Sequence, residues 1–452
     1  DHRIHLDHAS SSPVTPRVLG VMMPYFANHF SSPSSAFFAG EKPRAALAQA
    51  RESTAGLIGA DAREIVFTAS GTEANNIAVL GAARARGKGH IVVSPLEHAS
   101  VMSAAMHLKH EGFSVTVLEA CPGGLVDPAA LEDAMRDDTV LVSVLHASHE
   151  TGVIQDIRGL SAIARARGAV FHCDCVQSAG RIPIDVNDLN ADLISLSSPV
   201  LGGPRGAGAL YIRKGTRLEP VFFGRAEENG IRPGHMDIPA ITGFGLACKD
   251  ALERMGDNAA TVASLRDLLE AEITSSLGKA VVNGAEHARV CHISSISFEG
   301  VPCDAIAAWL DLEGITVSPR ASVFSHHTNQ VLEALGLTAD AAFGTVRFSP
   351  GIENTEAEMV RTSTIVEQAA TRIRESSEIV GDDAVCILAF SSRAAAARSI
   401  RELERASIPC VVTARPIELD ALPGPRIALA VPCPSVQDAL HVLEGTRIHP
   451  TA

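Results

Sequence analysis

The chain has 452 residues, a formal net charge of −14 and 46% hydrophobic residues. This length predicts two or three domains. No apolar run approaches the roughly 20 residues needed to cross a bilayer, and no basic cluster is present. Neither a membrane nor a nucleic acid is therefore expected as the principal partner. The nine cysteines are odd in number and not compactly spaced, which favours reduced thiols in a cytoplasmic protein.

The first signals of secondary structure lie before residue 90. Helices are predicted from Thr15 to Phe26 and from Pro43 to Ile58. A short strand from Glu64 to Thr68 leads into a turn of small residues, Ala69 to Asn76, which opens a helix from Ala74 to Arg84. Free amides and the helix dipole would face a ligand there, so the layout predicts an anion site. The alternative is an ordinary turn between a strand and a helix.

Strands alternate with helices from residue 60 to residue 215, which predicts right-handed βαβ units and a mostly parallel sheet. Ligand contacts then belong at the carboxyl ends of the strands. In the strand from Ala169 to Cys175, alternation places Asp174 on one face and Cys173 and Cys175 on the other. Because Cys-x-Cys lacks the spacing of a zinc knuckle, core thiols are favoured and no metal site is predicted.

Four motifs carry a resemblance to a known family. They are Leu6 to Pro13, Ser32 to Gly40, Gly71 to Asn76, and Ala191 to Leu210. Through them the chain resembles, from about residue 4 to residue 378, the cysteine desulfurases, which are class V (fold-type I) enzymes that use pyridoxal phosphate (PLP). The resemblance implies an α/β fold in which a large PLP-type domain, 15–255, contains a mostly parallel seven-stranded sheet.

The resemblance also implies a smaller α+β domain, formed by residues 256–378 with the arm 1–14. From residue 382 to residue 452 a βαββα pattern predicts a third, small α+β domain. This region resembles the selenium or sulfur carrier domains found beside desulfurase-like proteins, but it lacks their Cys-Gly pair. Cys410 and Cys433 both follow a proline there. A structural role is favoured for these thiols, and sulfur carriage is the alternative.

Particular side chains have roles implied by the resemblance. Those expected to bind the cofactor are Gly71 and Thr72 at the phosphate, His98 stacked on the ring, Asp174 at the pyridine nitrogen, Gln177 at the ring oxygen, and His149 and Ser197 in the same pocket. A buried Asp174 is costly unless it faces a cationic or protonated ligand, which agrees with its expected role. Arg347 is expected to bind the substrate carboxylate through its forked guanidinium.

Several positions depart from the family pattern. Val200 stands where the lysine that forms an imine with PLP belongs, and Val323 stands where the nucleophilic cysteine belongs. Pro199, His149 and His235 replace a histidine, an asparagine and a threonine of the family. A valine can supply neither an imine nor a thiolate. The sequence therefore predicts no covalent attachment of PLP and no ordinary desulfurase turnover, and it leaves the catalytic residues unknown.

Three functions stay open from the sequence. The first is a desulfurase-like protein of sulfur or selenium metabolism that has lost its lyase chemistry. The second is an enzyme of altered chemistry that uses non-covalently bound PLP, or a metal or acid–base set made of histidines, namely His98, His149, His235, His326 and His327. The third is a non-catalytic scaffold for a sulfur-trafficking protein. A small anionic molecule or an amino acid is the expected ligand of the pocket.

The segment from Gly224 to His235 bears on the oligomeric state. It resembles a family segment that reaches the phosphate site of the neighbouring subunit, and it retains Arg232 and Gly234. A lone subunit would leave the pocket half lined, so a homodimer is expected.

Overall fold

The computed structural model describes residues 3–319, 330–380, 385–390, 393–408, 410–414 and 427–445. The chain forms two compact units. The large unit comprises residues 8–263 and 284–293, and the small unit comprises residues 1–7, 264–283 and 294–452. No helix within the described ranges is both long and apolar enough to cross a membrane.

The elements follow one another in chain order. The first part contains β1 Ile4–His5, α1 Pro16–Met22, α2 Pro24–Ala27, α3 Glu41–Leu57, β2 Ile65–Thr68, α4 Gly71–Ala85, β3 His90–Val93, α5 Ala99–His110, β4 Ser114–Val117, α6 Pro128–Ala134 and β5 Thr139–Ser143. The middle part contains α7 Ile157–Ala166, β6 Val170–Asp174, α8 Val186–Leu189, β7 Leu193–Ser197, β8 Gly208–Ile212, α9 Ile238–Glu253 and α10 Met255–Ser276.

The remaining elements belong to the small unit. They are β9 Ala280–Val282, β10 Ser294–Phe298, α11 Cys303–Leu312, β11 Ile315–Thr316, β12 Ser318–Pro319, α12 Gln330–Ala334, α13 Ala339–Phe343, β13 Thr345–Phe348, α14 Glu356–Val380, β14 Val385–Ala389, α15 Arg393–Arg405, β15 Val411–Ala414, β16 Ile427–Pro432 and α16 Val436–Gly445.

The large unit is built on a seven-stranded sheet with the strand order β2-β8-β7-β6-β5-β3-β4. The five strands from β7 to β4 run parallel, and β8 is antiparallel to both of its neighbours. The predicted α/β fold with a mostly parallel seven-stranded sheet is thereby confirmed. The carboxyl ends of β5, β6 and β7 meet at one edge of this sheet, which is where the candidate site forms.

Two helix predictions needed correction. The single helix expected from Thr15 to Phe26 is two helices, α1 and α2, that meet at Met23. Pro24 explains the break, because it lacks an amide hydrogen and clashes with the preceding turn. The helix expected from Ala74 begins instead at Gly71, since the Ser70 side chain accepts a hydrogen bond from the Glu73 amide and caps the helix there.

Side chains cover the outer edge of β2, one of the two edge strands of the sheet. The carboxylate of Glu228 accepts a hydrogen bond from the Phe67 amide at 2.7 Å, and Arg51 donates to the Ile65 carbonyl. Arg51 also forms a forked ion pair with Glu228, at 2.8 and 2.5 Å. Glu228 holds a left-handed φ of 46°, an unusual conformation for a side chain of this type. The outward-facing backbone groups of β2 at these two residues are therefore satisfied.

The small unit contains an antiparallel sheet, β12-β13-β10-β9, and a parallel pair of β1 with β11. Its core includes Phe298, Ile306, Phe348 and Val366. A separate three-stranded antiparallel sheet, β14-β16-β15, follows in the C-terminal region. The strands and helices of this region lie where the βαββα pattern placed them, whereas the domain boundaries at 378 and 382 stay a prediction.

The C-terminal region packs against α11 of the same unit. Its core, which contains Leu388, Leu403 and Leu429, includes Ala308 of α11. Trp309 and Leu312 also pack against this core. The C-terminal sheet is therefore attached to the small unit by an apolar contact as well as by the chain.

We expect Leu403→Ala to loosen this contact. The variant shortens a fully buried side chain and leaves a cavity, for which losses of about 2–5 kcal/mol in the free energy of unfolding are typical. Trp309 is the single tryptophan of the chain, so its fluorescence should shift to longer wavelength at lower urea concentration than in the wild type. Leu252→Ala, at a half-exposed leucine of the large unit, is the control. Unchanged Trp309 emission in Leu403→Ala would contradict the contact.

Candidate cofactor site

The turn before α4 forms a cup at the edge of the sheet. Ser70 caps the helix by accepting a hydrogen bond from the Glu73 amide, and Thr72 in the first turn is exposed. Amides at the start of a helix have no partner within the helix. A Cβ atom added at Gly71 would lie 2.9 Å from Val176 Cγ2 and 3.2 Å from Ser197 Cβ. Only glycine fits this approach comfortably, so Ser197, at the end of β7, is held against the start of α4. The structure thus brings Gly71, Thr72 and Ser197 together around one helix N-terminus.

Asp174 ends β6 and is buried. Its Oδ2 accepts a hydrogen bond from Asn75 Nδ2 at 2.7 Å, and its Oδ1 accepts one from the Val176 amide at 2.9 Å. Burial raises the pKa of Asp174, and these two hydrogen bonds with the nearby charge of His98 only partly offset that effect. A protonated group placed against the carboxylate would stabilise its charged form further.

Asn75 extends this contact to His98. The same Asn75 nitrogen donates to Ser100 Oγ at 2.9 Å, and Ser100 Oγ lies 2.7 Å from His98 Nδ1. The Ser100 amide also donates to His98 Nδ1, at 3.2 Å, so a neutral His98 carries its proton on Nε2. Asn75 was not among the site residues predicted from the sequence. Its place one helical turn after Gly71, on the buried side of α4, was the signal that could have identified it.

His149 lies beside His98. The two rings meet edge to face with their centroids 5.3 Å apart, and His149 Nε2 is 3.3 Å from Glu150 Oε1. His235, in contrast, lines an open cavity of about 990 Å³ with Glu73 and Arg232, and neither His98 nor His149 lines that cavity. No group of three metal-binding side chains occurs among the described residues. The histidine metal set expected as one alternative is therefore not assembled there.

Gln177 is held from both ends of its amide. Its Nε2 donates to the Ala9 carbonyl at 2.9 Å, and its Oε1 lies 3.0 Å from His292 Nε2. The orientation of Gln177 near the end of β6 is therefore fixed by Ala9 and His292, two residues that no sequence pattern connects with it.

Glu97 is a second buried carboxyl group near Asp174. Burial, and then the charge of Asp174, raise its pKa well above the usual range. Its Oε1 accepts a hydrogen bond from the Leu145 amide at 2.8 Å, and its Oε2 has no hydrogen-bond partner within the described part of the chain. The arrangement favours the protonated form of Glu97, a feature that no sequence signal indicated.

Val200 is the residue expected from the sequence at the position of the family lysine. It lies in a short 3-10 helix, Pro199–Leu201, directly after β7, and its side chain is 6% exposed. The Val200 carbonyl accepts a hydrogen bond from Arg181 at 2.9 Å. The position is thus packed as an apolar one. Val323, His326 and His327 lie outside the described residues.

Arg347 belongs to the small unit. It lies on β13, is buried, and donates from Nη2 to Asp7 Oδ1 at 2.9 Å. Asp7 is itself joined to the neighbouring Ser349 by an isolated parallel bridge. The guanidinium is therefore positioned by the N-terminal arm.

Comparisons with known proteins agree with this fold. Residues 4–361 match the family model described as aminotransferase class-V. The chain belongs to this family, and among its members it is similar to the cysteine desulfurases.

The chain is 38% identical over 382 residues to "Cysteine desulfurase IscS" of Anaeromyxobacter sp. (strain Fw109-5), covering 83% of this chain and 94% of that protein. It is 36% identical to "Probable cysteine desulfurase, mitochondrial" of Dictyostelium discoideum, covering 83% and 85%. Among solved structures, a "NifS-like protein" has a TM-score of 0.77 at 29% identity, covering 82% of this chain and all of that one. The structure "SspA in complex with cysteine" has a TM-score of 0.69 at 32% identity, covering 78% and 100%.

We expect Glu97→Gln to change how stability depends on pH. A carboxyl group whose pKa is raised in the folded state contributes stability below its unfolded pKa, and this contribution is lost as pH rises through the folded pKa. The amide cannot ionise, so the urea midpoint of the variant should fall less than that of the wild type between pH 5 and pH 9.

Glu111→Gln is the matched control. The pKa of Glu111 is lowered by its hydrogen bond with Arg84, so this group loses its stabilising effect toward acid pH and not toward alkaline pH. Parallel pH profiles for the wild type and Glu97→Gln would show that Glu97 is already ionised in the folded protein.

Proposed function

We propose that the chain is a desulfurase-like protein of sulfur metabolism that binds PLP without a covalent bond at position 200. The observation that carries the proposal is the buried Asp174, whose pKa stays raised despite two hydrogen bonds. This carboxylate suits a protonated ring nitrogen. The cup at Gly71 suits a phosphate, since it combines a capped helix N-terminus with a backbone approach that a side chain would obstruct.

Different residues of the large unit would then bind different parts of PLP. Asp174 would pair with the ring nitrogen, Gly71 and Thr72 would hold the phosphate, and His98, fixed by Ser100, would cover the ring. PLP, when bound, supplies an electron sink for negative charge formed on a substrate. No amine at position 200 would be available to hold it or to move a proton.

We further propose that an amino acid or another small anion is the ligand, with its carboxylate directed to Arg347. The support is the buried, oriented guanidinium of Arg347, whose forked geometry suits a carboxylate. Release of sulfide from cysteine is not expected, because positions 200 and 323 both hold valine. Sulfide formed above a blank by purified protein with PLP and cysteine would overturn this part of the proposal.

Val200→Lys tests the cofactor site. Since the chain retains the other residues proposed to bind PLP, restoring the amine should strengthen PLP binding about tenfold or more, equivalent to roughly 1.4 kcal/mol. A visible absorbance band that borohydride fixes to the protein should appear. Val200→Met, of similar length but without an amine, should give neither result.

Asp174→Asn provides the second arm of this test. It keeps the shape of the side chain but removes its charge. In the otherwise wild-type protein, this substitution should therefore weaken PLP binding at least about tenfold. If PLP binds to neither the wild type nor Val200→Lys, while both remain folded by circular dichroism, the cofactor proposal fails. The scaffold for a sulfur-trafficking partner would then be the better account.

We also propose that the chain is a homodimer. The large unit exposes several phenylalanines. Among them, Phe37 is 80% exposed, Phe38 is 81% exposed and Phe223 is 89% exposed. Phe223 and the half-exposed Phe222 line the same cavity as Arg232, whose Nε donates to Glu73 at 3.0 Å. Apolar surface of this kind near the phosphate cup supports burial against a second copy.

A double variant, Phe38→Ser with Phe223→Ser, tests the dimer. It should weaken self-association by removing apolar area from the contact, and it should raise the monomer fraction in analytical ultracentrifugation at micromolar concentration. Val281→Ser, at a valine of the small unit that is 62% exposed, is the control. A wild type that is monomeric at these concentrations would contradict the proposal.

A further inference from the structure

Two cysteines flank Asp174, the central carboxylate of the candidate site. Cys173 and Cys175 project to the same side of the chain, with their Sγ atoms 3.6 Å apart. Both side chains are fully buried. In the desulfurase motif that this segment resembles, the corresponding positions hold valine or isoleucine and alanine. The thiol pair is therefore a feature of this chain that the proposed binding of PLP does not require.

The surroundings of Cys175 differ from those of an ordinary buried thiol. His146 Nδ1 lies 3.9 Å from its Sγ. Burial raises the pKa of Cys175, but hydrogen bonds with Cys173, His146 and Ser178 outweigh this effect and lower it to about 6. Within the pair, Cys173 keeps its proton, because burial and the neighbouring Cys175 raise its pKa well above the usual range.

Cys248 shows what burial alone does in the same unit. Its side chain is also fully buried, and burial raises its pKa to about 12. A hydrogen bond with Thr54 only partly offsets this effect of burial. A thiolate is the reactive form of cysteine, so the environment of Cys175 favours reaction and that of Cys248 does not. The contrast comes from the second thiol and the imidazole beside Cys175.

We propose that Cys173 and Cys175 are a dithiol–disulfide couple, a redox modification site for small hydroperoxides that closes around Asp174. The Cys175 thiolate attacks one peroxide oxygen, the O–O bond breaks, and water leaves with a proton from the surroundings, which gives a sulfenic acid. Cys173 sulfur then displaces the hydroxyl group, and its own proton leaves with it as a second water. One hydrogen peroxide is reduced, and two thiols are oxidised to one disulfide.

Closing the couple must disturb Asp174. The Sγ atoms have to approach from 3.6 Å to about 2 Å, and residue 174 is the single residue between them. Its carboxylate hydrogen bonds with Asn75 and Val176 depend on the present backbone position. Oxidation should therefore weaken the contact of Asp174 with a ligand. This effect on binding rests on the proposed function, whereas disulfide formation does not. Because both thiols are buried, only a small oxidant, or brief opening of the site, allows the reaction.

Mass spectrometry of the full-length protein tests the couple. After treatment with hydrogen peroxide, unfolding and alkylation, the peptide with residues 173 and 175 should be unalkylated and two hydrogens lighter, and dithiothreitol should restore both thiols. Cys248 should stay reduced in the same sample. In Cys173→Val and Cys175→Ala, which introduce the residues typical of the motif, no such disulfide should form. Recovery of the 173–175 peptide as an alkylated dithiol, or its bonding to another cysteine, would overturn the proposal.

PLP titration of the reduced and oxidised protein separates the two claims. We expect oxidation to weaken binding about tenfold in the wild type and to leave Cys173→Val unaffected. A disulfide without any change in affinity would refute the effect on Asp174 but leave the redox site established. Absence of binding in the reduced protein would overturn the proposed function, while the peptide masses would still decide whether the couple forms.

Discussion

The burial of a carboxylate at the end of β6 is the constraint on which the candidate site depends. Burial removes most of the hydration of Asp174, and the hydrogen bonds from Asn75 and the Val176 amide compensate for part of that loss. Asn75 also belongs to α4, the helix whose first turn forms the anion cup. One side chain thus connects the acidic end of the site to the helix N-terminus at Gly71, and through Ser100 to His98.

The position expected for the family lysine contrasts with this network. Val200 is packed as part of the apolar interior, and its backbone is held by Arg181. The groups that would recognise a ring nitrogen and a phosphate are nevertheless oriented by hydrogen bonds or by close packing. Under the proposed function, recognition of PLP and its covalent attachment would depend on different residues held by different contacts.

Local patterns in the sequence predicted much of this arrangement. The alternation of strands and helices was enough for the parallel sheet, and the motif around Gly71 located the cup, because both depend on residues adjacent in the chain. Asn75 and Glu97 were missed, since their importance arises from distant partners, Asp174 and Leu145. The grouping of histidines holds only in part for the three that the structure describes, because His98 and His149 meet but His235 lines another cavity.

The side chains along β2 limit how this protein can associate. An edge strand usually offers free amides and carbonyls on which another chain can build a further strand. Here Glu228 accepts a hydrogen bond from the Phe67 amide, and Arg51 donates one to the Ile65 carbonyl. The ion pair between Glu228 and Arg51 holds these two side chains in place. Extension of the sheet across this edge would first have to break a partly buried ion pair. Contacts between faces are therefore favoured there over continuous intermolecular sheets, which also guards this edge against aggregation.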